Sequence, residues 1–526
     1  MDFLVHHMLR SSAARHPGKE ALVHGSQRLT YRQVERAVNA LGYGLKNAGI
    51  ERGDRVGILV EPSVAQALSI FAVSCANAAF VPINHLLFPE QVAHIVNDCR
   101  MKGLITTKSK LAALLPVLEQ CPSLSFVVVL REGDAPEVSL PLYIFEDLCA
   151  VEPTSQNDLC IEKDLAAILY TSGSTGKPKG VMLAHAQIMA GASSVSAYLG
   201  ITEKDRILAV LPFSFDAGLN QLMTAFQQGG TLVLTTFTFA REIVQVLASE
   251  EITGLAGVPT LWALMAQPQS TLHKTPLPHL RYITNTGGAM PQSVLAVLRK
   301  LLSATSIFLM YGFTEAFRAT YLPPEELDRR PTSMGKAIPG SEILVLNERG
   351  ELCKPGEIGE LVQRGPTVSL GYWERPELTE QMFRPHPFVP AEHRNGEKIC
   401  YSGDLVKTDE EGFLYFVGRR DTMIKSSGYR ISPTEVEEVL FQSGRVRGAA
   451  VIGVPDEVLG QHIKAFVVPV NREDRDPDQL LAFCAEKMPR YMVPKIIEYL
   501  DELPKTSSGK VDYPKLRTRE GVGVPQ

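Results

Sequence analysis

Tyr170-Thr171-Ser172-Gly173-Ser174-Thr175-Gly176-Lys177-Pro178-Lys179-Gly180 concentrates hydroxyl side chains, glycines and lysines in one short run. Glycines let successive backbone N–H groups curl toward one point, where they can hold an anion. Hydroxyls add neutral donors, and lysine supplies charge. An apolar run over residues 165–169 leads in, and Val181-Met182-Leu183 leads out. That flanking predicts a strand on each side rather than a flexible surface turn. The run is not a Walker A loop. That motif needs GxxxxGK followed by Ser or Thr and opens a helix; here Pro178 follows Lys177.

Outward from the loop, apolar runs of strand length alternate with helical patterns. Residues 56–60, 126–130, 166–169, 207–210 and 231–234 read as strands, with helices from about residue 63 and around residues 241–249. Such alternation predicts layered α/β structure with mostly buried strands. From about Ile338 the texture changes to short strands near residues 342–347, 359–363 and 413–417, separated by turns such as Glu410-Glu411-Gly412. This predicts a β-rich subdomain over about 338–420. A charged passage, Arg419-Arg420-Asp421, precedes a last stretch with helices at 433–443 and 477–488 and strands at 449–453 and 463–470. The fold class is therefore α/β. A large domain (1–420) of layered α/β subdomains plus the β-rich one is expected, followed by a small α+β domain (421–526) behind a polar boundary.

Composition narrows the function classes. With 45% hydrophobic and 21% charged residues, the chain of 526 is globular rather than disordered. Its 53 basic and 58 acidic side chains leave a net charge of −5, with no electrostatic reason to expect nucleic-acid binding. Eight scattered cysteines form no CxxC pair, which removes metal-knuckle and thioredoxin readings and fits reduced thiols in the cytoplasm. His6, His7 and Arg10 break the N-terminal apolar stretch, so it is not read as a signal peptide; Phe3, Leu4, Met8 and Leu9 predict an amphipathic first helix. The uncharged segment 65–87 contains Asn77, Pro82, Asn84 and His85, and predicts a buried helix followed by a strand rather than a membrane span.

The loop resembles the signature of the adenylate-forming superfamily: acyl-CoA synthetases, luciferases and peptide-synthetase adenylation domains. Further motifs follow in the order of that family. They are Leu29-Thr30-Tyr31, Gly287-Gly288-Ala289, Tyr311-Gly312-Phe313-Thr314-Glu315 and Tyr401-Ser402-Gly403-Asp404. Gly418-Arg419-Arg420-Asp421 then runs on to Gly428-Tyr429-Arg430, and Pro504-Lys505-Thr506-Ser507-Ser508-Gly509-Lys510 closes the series. The resemblance implies an ATP- and Mg²⁺-dependent ligase. A carboxylic acid attacks the α-phosphate, pyrophosphate leaves, and the acyl-AMP is passed to a thiol, most simply that of CoA.

Roles follow motif by motif. Thr171, Ser172, Gly173, Ser174, Thr175, Gly176 and Lys179 would cradle phosphates, with Gly288, Ala289 and Gly312 lining the nucleotide site. Tyr311 would stack on adenine, Asp404 accept from ribose hydroxyls, and Arg419 serve the phosphate or ribose end, being always charged and fork-shaped. Thr314 and Glu315 would meet phosphate and Mg²⁺, which favours one or two carboxylates plus phosphate oxygens. Lys510 is the expected catalytic cation. Asp421 is the expected hinge, and Gly428, Tyr429 and Arg430 the loop presented for thiol attack.

The acyl side is the least determined. Leu211-Pro212-Phe213-Ser214-Phe215-Asp216 departs from the Pro-Leu-Phe-His form of many acyl-CoA synthetases and resembles the peptide-synthetase form. There, the aspartate matching Asp216 pairs with a substrate ammonium; a helix-capping role is the plainer alternative. Arg318 could face the same pocket and neutralise Asp216, which would weaken the amino-acid reading. The sequence near Tyr311–Tyr321 resembles exosortase-associated acyl-CoA ligases, while that near Phe213–Leu222 resembles stand-alone aminoacyl–carrier-protein ligases. CoA and carrier-protein phosphopantetheine both stay open as acceptors. No GxSxG elbow, HExxH or dinucleotide fingerprint competes; the alternative of another class is a noncatalytic nucleotide-binding protein of the same fold.

Overall fold

Alternating strand and helix patterns build two mostly parallel sheets in the computed structural model, which describes residues 2–131, 133, 136–153, 158–172, 178–394, 396–420, 422–426, 429–456, 460–506 and 509–522. One sheet has nine strands, centred on the parallel set Glu20–His24, Thr231–Leu234, Arg206–Ala209, Gly254–Gly257, Tyr282–Asn285 and Ser306–Tyr311. The other has eight, with Leu142–Ile144, Phe126–Val129, Gly103–Thr106, Arg55–Leu59, Ala79–Pro82 and Leu165–Ser172 in parallel. Its edge turns antiparallel at Pro178–Ala184 and Gly371–Tyr372.

The main core lies between these sheets and draws on helices Tyr31–Asn47, Val64–Cys75, His185–Leu199 and Asp216–Gln228. Val64–Cys75 is apolar nearly all round and buried nearly all round, as a helix enclosed on every side must be. Ser63 caps it by accepting from the Gln66 backbone N–H at 3.3 Å. Residues 65–87 thus form the expected buried helix and strand. Among the described residues, no helix is long and apolar enough to cross a membrane.

Leu29-Thr30-Tyr31 acts here on the fold. Thr30 and Gln33 form a reciprocal capping box at the start of Tyr31–Asn47. Tyr31 is fully buried, and its hydroxyl donates to the Gly230 carbonyl at 2.6 Å. The first helix differs from the amphipathic expectation. It spans Val5–Arg15, with Phe3 outside it and exposed, and it buries His6, His7 and Ser12 along with Val5, Met8 and Leu9. Asp158 makes this possible by accepting from both histidine rings and from Arg10.

A third, antiparallel sheet combines Glu342–Leu346, Gly359–Arg364, Lys398–Thr408, Phe383–Pro385 and Leu414–Arg419. It forms the β-rich part expected from about residue 338. A fourth sheet draws its strands only from Ile424–Ser426, Tyr429–Ile431, Val446–Asp456, Gly460–Pro469 and Ile496–Tyr499. Helices Pro433–Gln442 and Pro477–Lys487 cover its core. A large N-terminal domain and a smaller C-terminal one result.

Candidate active site

Two paired strands flank the glycine-rich run in the sequence. Leu165–Ser172 and Pro178–Ala184 pair antiparallel, with Thr171 opposite Lys179 and Tyr170 opposite Gly180. Both flanking elements are strands, as the apolar runs require. Gly180 is needed for contact: a methyl group there would come within 2.6 Å of Ile168 and 3.1 Å of the Tyr170 ring. Thr171 and Lys179 are half-buried at the loop's base. Gly173, Ser174, Thr175 and Gly176 lie outside the described residues, as does the Ser172 side chain.

Tyr311 ends its strand at the C-terminal edge of the nine-stranded sheet, where ligands bind in open α/β folds. Its hydroxyl donates to the Asp404 carboxylate in a short hydrogen bond. Burial, with that carboxylate alongside, pushes the Tyr311 hydroxyl well above its ordinary pKa, so it remains a donor. The third sheet brings Asp404 opposite Arg419 in register, and Arg419 Nε lies 3.6 Å from Asp404 Oδ1. Gly403 adopts φ +73° between them and Ser402. Ser402 Oγ accepts from the Asp404 N–H, and Glu360 accepts from both the Gly403 N–H and Arg420. Tyr311, Asp404 and Arg419 therefore form one polar wall, assembled by two different sheets.

Beyond Gly312, Thr314–Ala316 makes a single 3₁₀ turn. Glu315 is half-buried, and its Oε1 accepts from the Tyr372 hydroxyl at 2.6 Å. The second carboxylate oxygen has no partner among the described residues. That suits a divalent cation, which needs one outward-facing carboxylate oxygen and phosphate oxygens. No sequence motif marked Tyr372, because its pairing with Glu315 spans two sheets.

Phe317 then takes φ +51°, ψ −40°, rare for an aromatic residue. The Arg318 N–H closes a three-residue turn onto the Ala316 carbonyl at 2.5 Å. Packing holds this strain: the Phe317 ring is fully buried and fills the space over Gly191, where a methyl group would come within 2.4 Å of it. The turn directs Arg318 inward to Asp216. Arg318 Nη1 donates to Asp216 Oδ2 at 3.2 Å, with both side chains 5% exposed. The Asp216 carboxylate is paired with Arg318, the arrangement in which the amino-acid reading weakens. The helix-capping alternative is corrected: Asp216 is the first helical residue of Asp216–Gln228, and Phe215 occupies the cap position.

Lys510 comes from the opposite end of the sequence to this cleft. Its ammonium lies 5.3 Å from the Phe215 ring centroid, within cation–π range. Its Cε passes so close to Gly287 that a methyl group there would sit 3.3 Å away. Gly287 has φ +78°, and Asn285 holds the Gly288 carbonyl at 2.8 Å. Gly288 and Ala289 are exposed beside it. A bridge between Lys505 and Val511 and a hydrogen bond from the Thr506 N–H to the Lys510 carbonyl shape the lysine's own loop. Asp421 and Gly428 lie outside the described residues, as do the side chains of Tyr429 and Arg430.

Residues 9–373 match the AMP-binding enzyme family, and residues 435–510 match the AMP-binding enzyme C-terminal domain. Feruloyl-CoA synthase from an Amycolatopsis species is 33% identical over 516 residues, covering 96% of this chain and 96% of that protein. Tyrocidine synthase 1 of Brevibacillus parabrevis is 31% identical over 517 residues, which is 97% of this chain but only 44% of that protein. An anthranilate CoA ligase in complex with anthranoyl-AMP superposes with a TM-score of 0.88 at 28% identity, over 99% of this chain and 98% of that one. O-succinylbenzoate coenzyme A synthetase of Bacillus subtilis, in complex with ATP and magnesium ion, gives 0.81 at 27% identity, over 96% and 98%.

Proposed function

The chain belongs to the AMP-binding enzyme family, and on that premise we propose that it is an ATP-dependent acid–thiol ligase acting on a carboxylic acid and CoA. The single observation that carries this reading is the position of Lys510, an ammonium from the last residues of the chain lying over Phe215 and against Gly287. A nucleotide-binding protein without catalysis has no need of a cation at that point.

The chemistry requires one. A carboxylate and the α-phosphate of ATP repel, and negative charge grows between them as they join. An ammonium held at their meeting point stabilises that charge, by roughly 3–4 kcal/mol on the scale of single preorganised donors. Phe215 keeps one side of the ammonium dry. The flat face of Tyr311 suits adenine, and its bond to Asp404 fixes the ring beside a carboxylate able to accept from ribose hydroxyls. Arg419, next to Asp404, reaches the phosphate or ribose end. Thr171, Lys179 and the glycine-rich loop between them receive the departing phosphates. Glu315 and Thr314 would hold Mg²⁺, which neutralises phosphate charge when bound.

Transfer to the thiol uses the same cleft in a second arrangement. We assign the boundary between the two domains to residues 420 and 421, the hinge to Asp421, and the thiol-side loop to Gly428, Tyr429 and Arg430. The closed Asp216–Arg318 pair supports CoA chemistry over amino-acid loading of a carrier protein, since it removes the countercharge an amino acid would need.

Lys510→Ala tests the reading through carboxylate-dependent ATP–pyrophosphate exchange. Exchange should fall about 10²–10³-fold, while circular dichroism and nucleotide binding stay as in the wild type. Exchange at the wild-type rate in the variant would refute the assignment of Lys510. No pyrophosphate release from the wild type with any acid would leave only a binding protein.

A further inference from the structure

Residues 369–375 touch both Glu315 and the strands that flank the glycine-rich run. Gly371 and Tyr372 pair antiparallel with Met182 and Val181. The Leu370 N–H donates to the Met182 carbonyl at 2.9 Å, and the Trp373 N–H to the Gly180 carbonyl at 2.8 Å. Their partner strand, Pro178–Ala184, also carries Lys179. Residues opposed across a sheet share a face, and so do residues two apart on one strand. Tyr372 and Lys179 therefore lie on the same face of this sheet. Further along, Arg375 and Tyr170 both donate to the Asp98 carboxylate. The far end of the segment is thus tied to the strand that leads into the glycine-rich run.

The same segment holds Glu315 twice. The Ser369 N–H donates to the Glu315 backbone carbonyl at 2.9 Å, and the Tyr372 hydroxyl donates to Glu315 Oε1 at 2.6 Å. Packing leaves that hydroxyl little freedom. Tyr372 is 6% exposed and packs with Val181, Val368, Phe383 and Cys400. The Phe383 ring meets it edge-on at 6.1 Å, and the Tyr372 N–H donates to Thr379 Oγ1 at 3.0 Å. A phenol fixed on this many sides pins one carboxylate oxygen of Glu315. Oε2 has no partner among the described residues.

A buried tyrosine hydroxyl needs some partner in any fold. This one has the carboxylate that the ligase reading gives to the divalent cation. A glutamate side chain has many rotamers, and ordering it at the moment of binding costs entropy. Tyr372 orders it beforehand, which is how a supporting residue raises affinity without touching the ligand.

Resting on the ligase reading of Glu315, we propose that Tyr372 is the positioning residue for the cation-binding carboxylate: its hydroxyl holds Oε1, so that Oε2 stays available to the cation that accompanies ATP. The backbone of residues 369–373 fixes that carboxylate relative to Lys179 on the adjoining strand.

Tyr372→Phe in the full chain removes the hydroxyl and keeps the packed ring. The readout is affinity rather than turnover: the Kd of α,β-methylene ATP by titration calorimetry, with Mg²⁺ and with EDTA. In the wild type, Mg²⁺ should tighten binding. In the variant that tightening should shrink by about tenfold, or vanish if the wild-type factor is smaller. The metal-free Kd and the circular dichroism should stay as in the wild type. Glu315→Gln should abolish the tightening, and Tyr372→Phe added to it should change nothing more, because the two groups act as one unit. Tightening in Tyr372→Phe equal to that of the wild type, an equal weakening of the metal-free Kd, or a further loss in the double variant would each overturn the proposal and leave the ligase reading standing. A wild-type chain that binds the analogue equally well with and without Mg²⁺ would overturn the role of Glu315 and the proposal together.

Discussion

Arg318 shows how one side chain alters a functional reading. Taken alone, Asp216 is a buried carboxylate in search of a cation; with Arg318 at 3.2 Å it is half of a closed pair. The pair is held from behind, since Gln363 Nε2 and Thr367 Oγ1 both donate to the Arg318 carbonyl. Removing one partner strands a charge in the interior, which costs about 3–5 kcal/mol. Arg318→Met should therefore lower the urea midpoint sharply, whereas Asp216→Leu combined with Arg318→Met should recover much of the loss. A double variant as unstable as the single one would mean that Arg318 acts through packing rather than charge.

Between elements, the helix Pro433–Gln442 is tied to the helix Tyr513–Arg519 by a buried carboxyl group. Glu437 Oε1 accepts from the Tyr513 hydroxyl at 2.7 Å and from the Val451 N–H at 2.8 Å. Tyr513 follows Lys510 by one short loop, so this contact anchors the base of the catalytic candidate. Burial raises the Glu437 carboxyl from 4.5 to about 7. The folded chain thus holds this proton over a range in which the unfolded chain has lost it. Stability should fall as pH rises from about 4.5 to about 7, by on the order of 3 kcal/mol at most, and level off above. Glu437→Gln keeps a neutral acceptor for both donors and should flatten that part of the profile. Chemical unfolding at pH 5 and pH 8 checks it: an unchanged pH slope in the variant would assign the dependence to another group.

At the scale of the whole molecule, the cleft is a meeting of parts drawn from different sheets. Tyr311 and Glu315 come from the nine-stranded sheet and its following turn, Asp404 and Arg419 from the third sheet, and Lys510 from the C-terminal domain. Such a site can be assembled in more than one way by moving one domain, provided that a few backbone angles can change. Asp421→Pro restricts those angles at the proposed hinge. It should slow thioester formation more than pyrophosphate exchange, measured on the same preparation with CoA and a good acid. Equal loss of both half-reactions would count against a hinge at this residue.

Local sequence determined much of this protein. The apolar runs set the strands, including the two that flank the glycine-rich run, and Ser63 and Thr30 set helix starts. These features depend on period, capping and chain turns, which act over a few residues and are written in order along the chain. The tertiary structure alone decided the pairings that give the cleft its character. Asp216 with Arg318, Tyr372 with Glu315 and Tyr311 with Asp404 lie 102, 57 and 93 positions apart. The strained turn at Phe317 also escaped, because nothing in Ala316-Phe317-Arg318 favours a positive φ; burial of the ring over Gly191 imposes it. Contacts of this kind follow from how sheets are stacked and aimed, and no nearby residue encodes that angle.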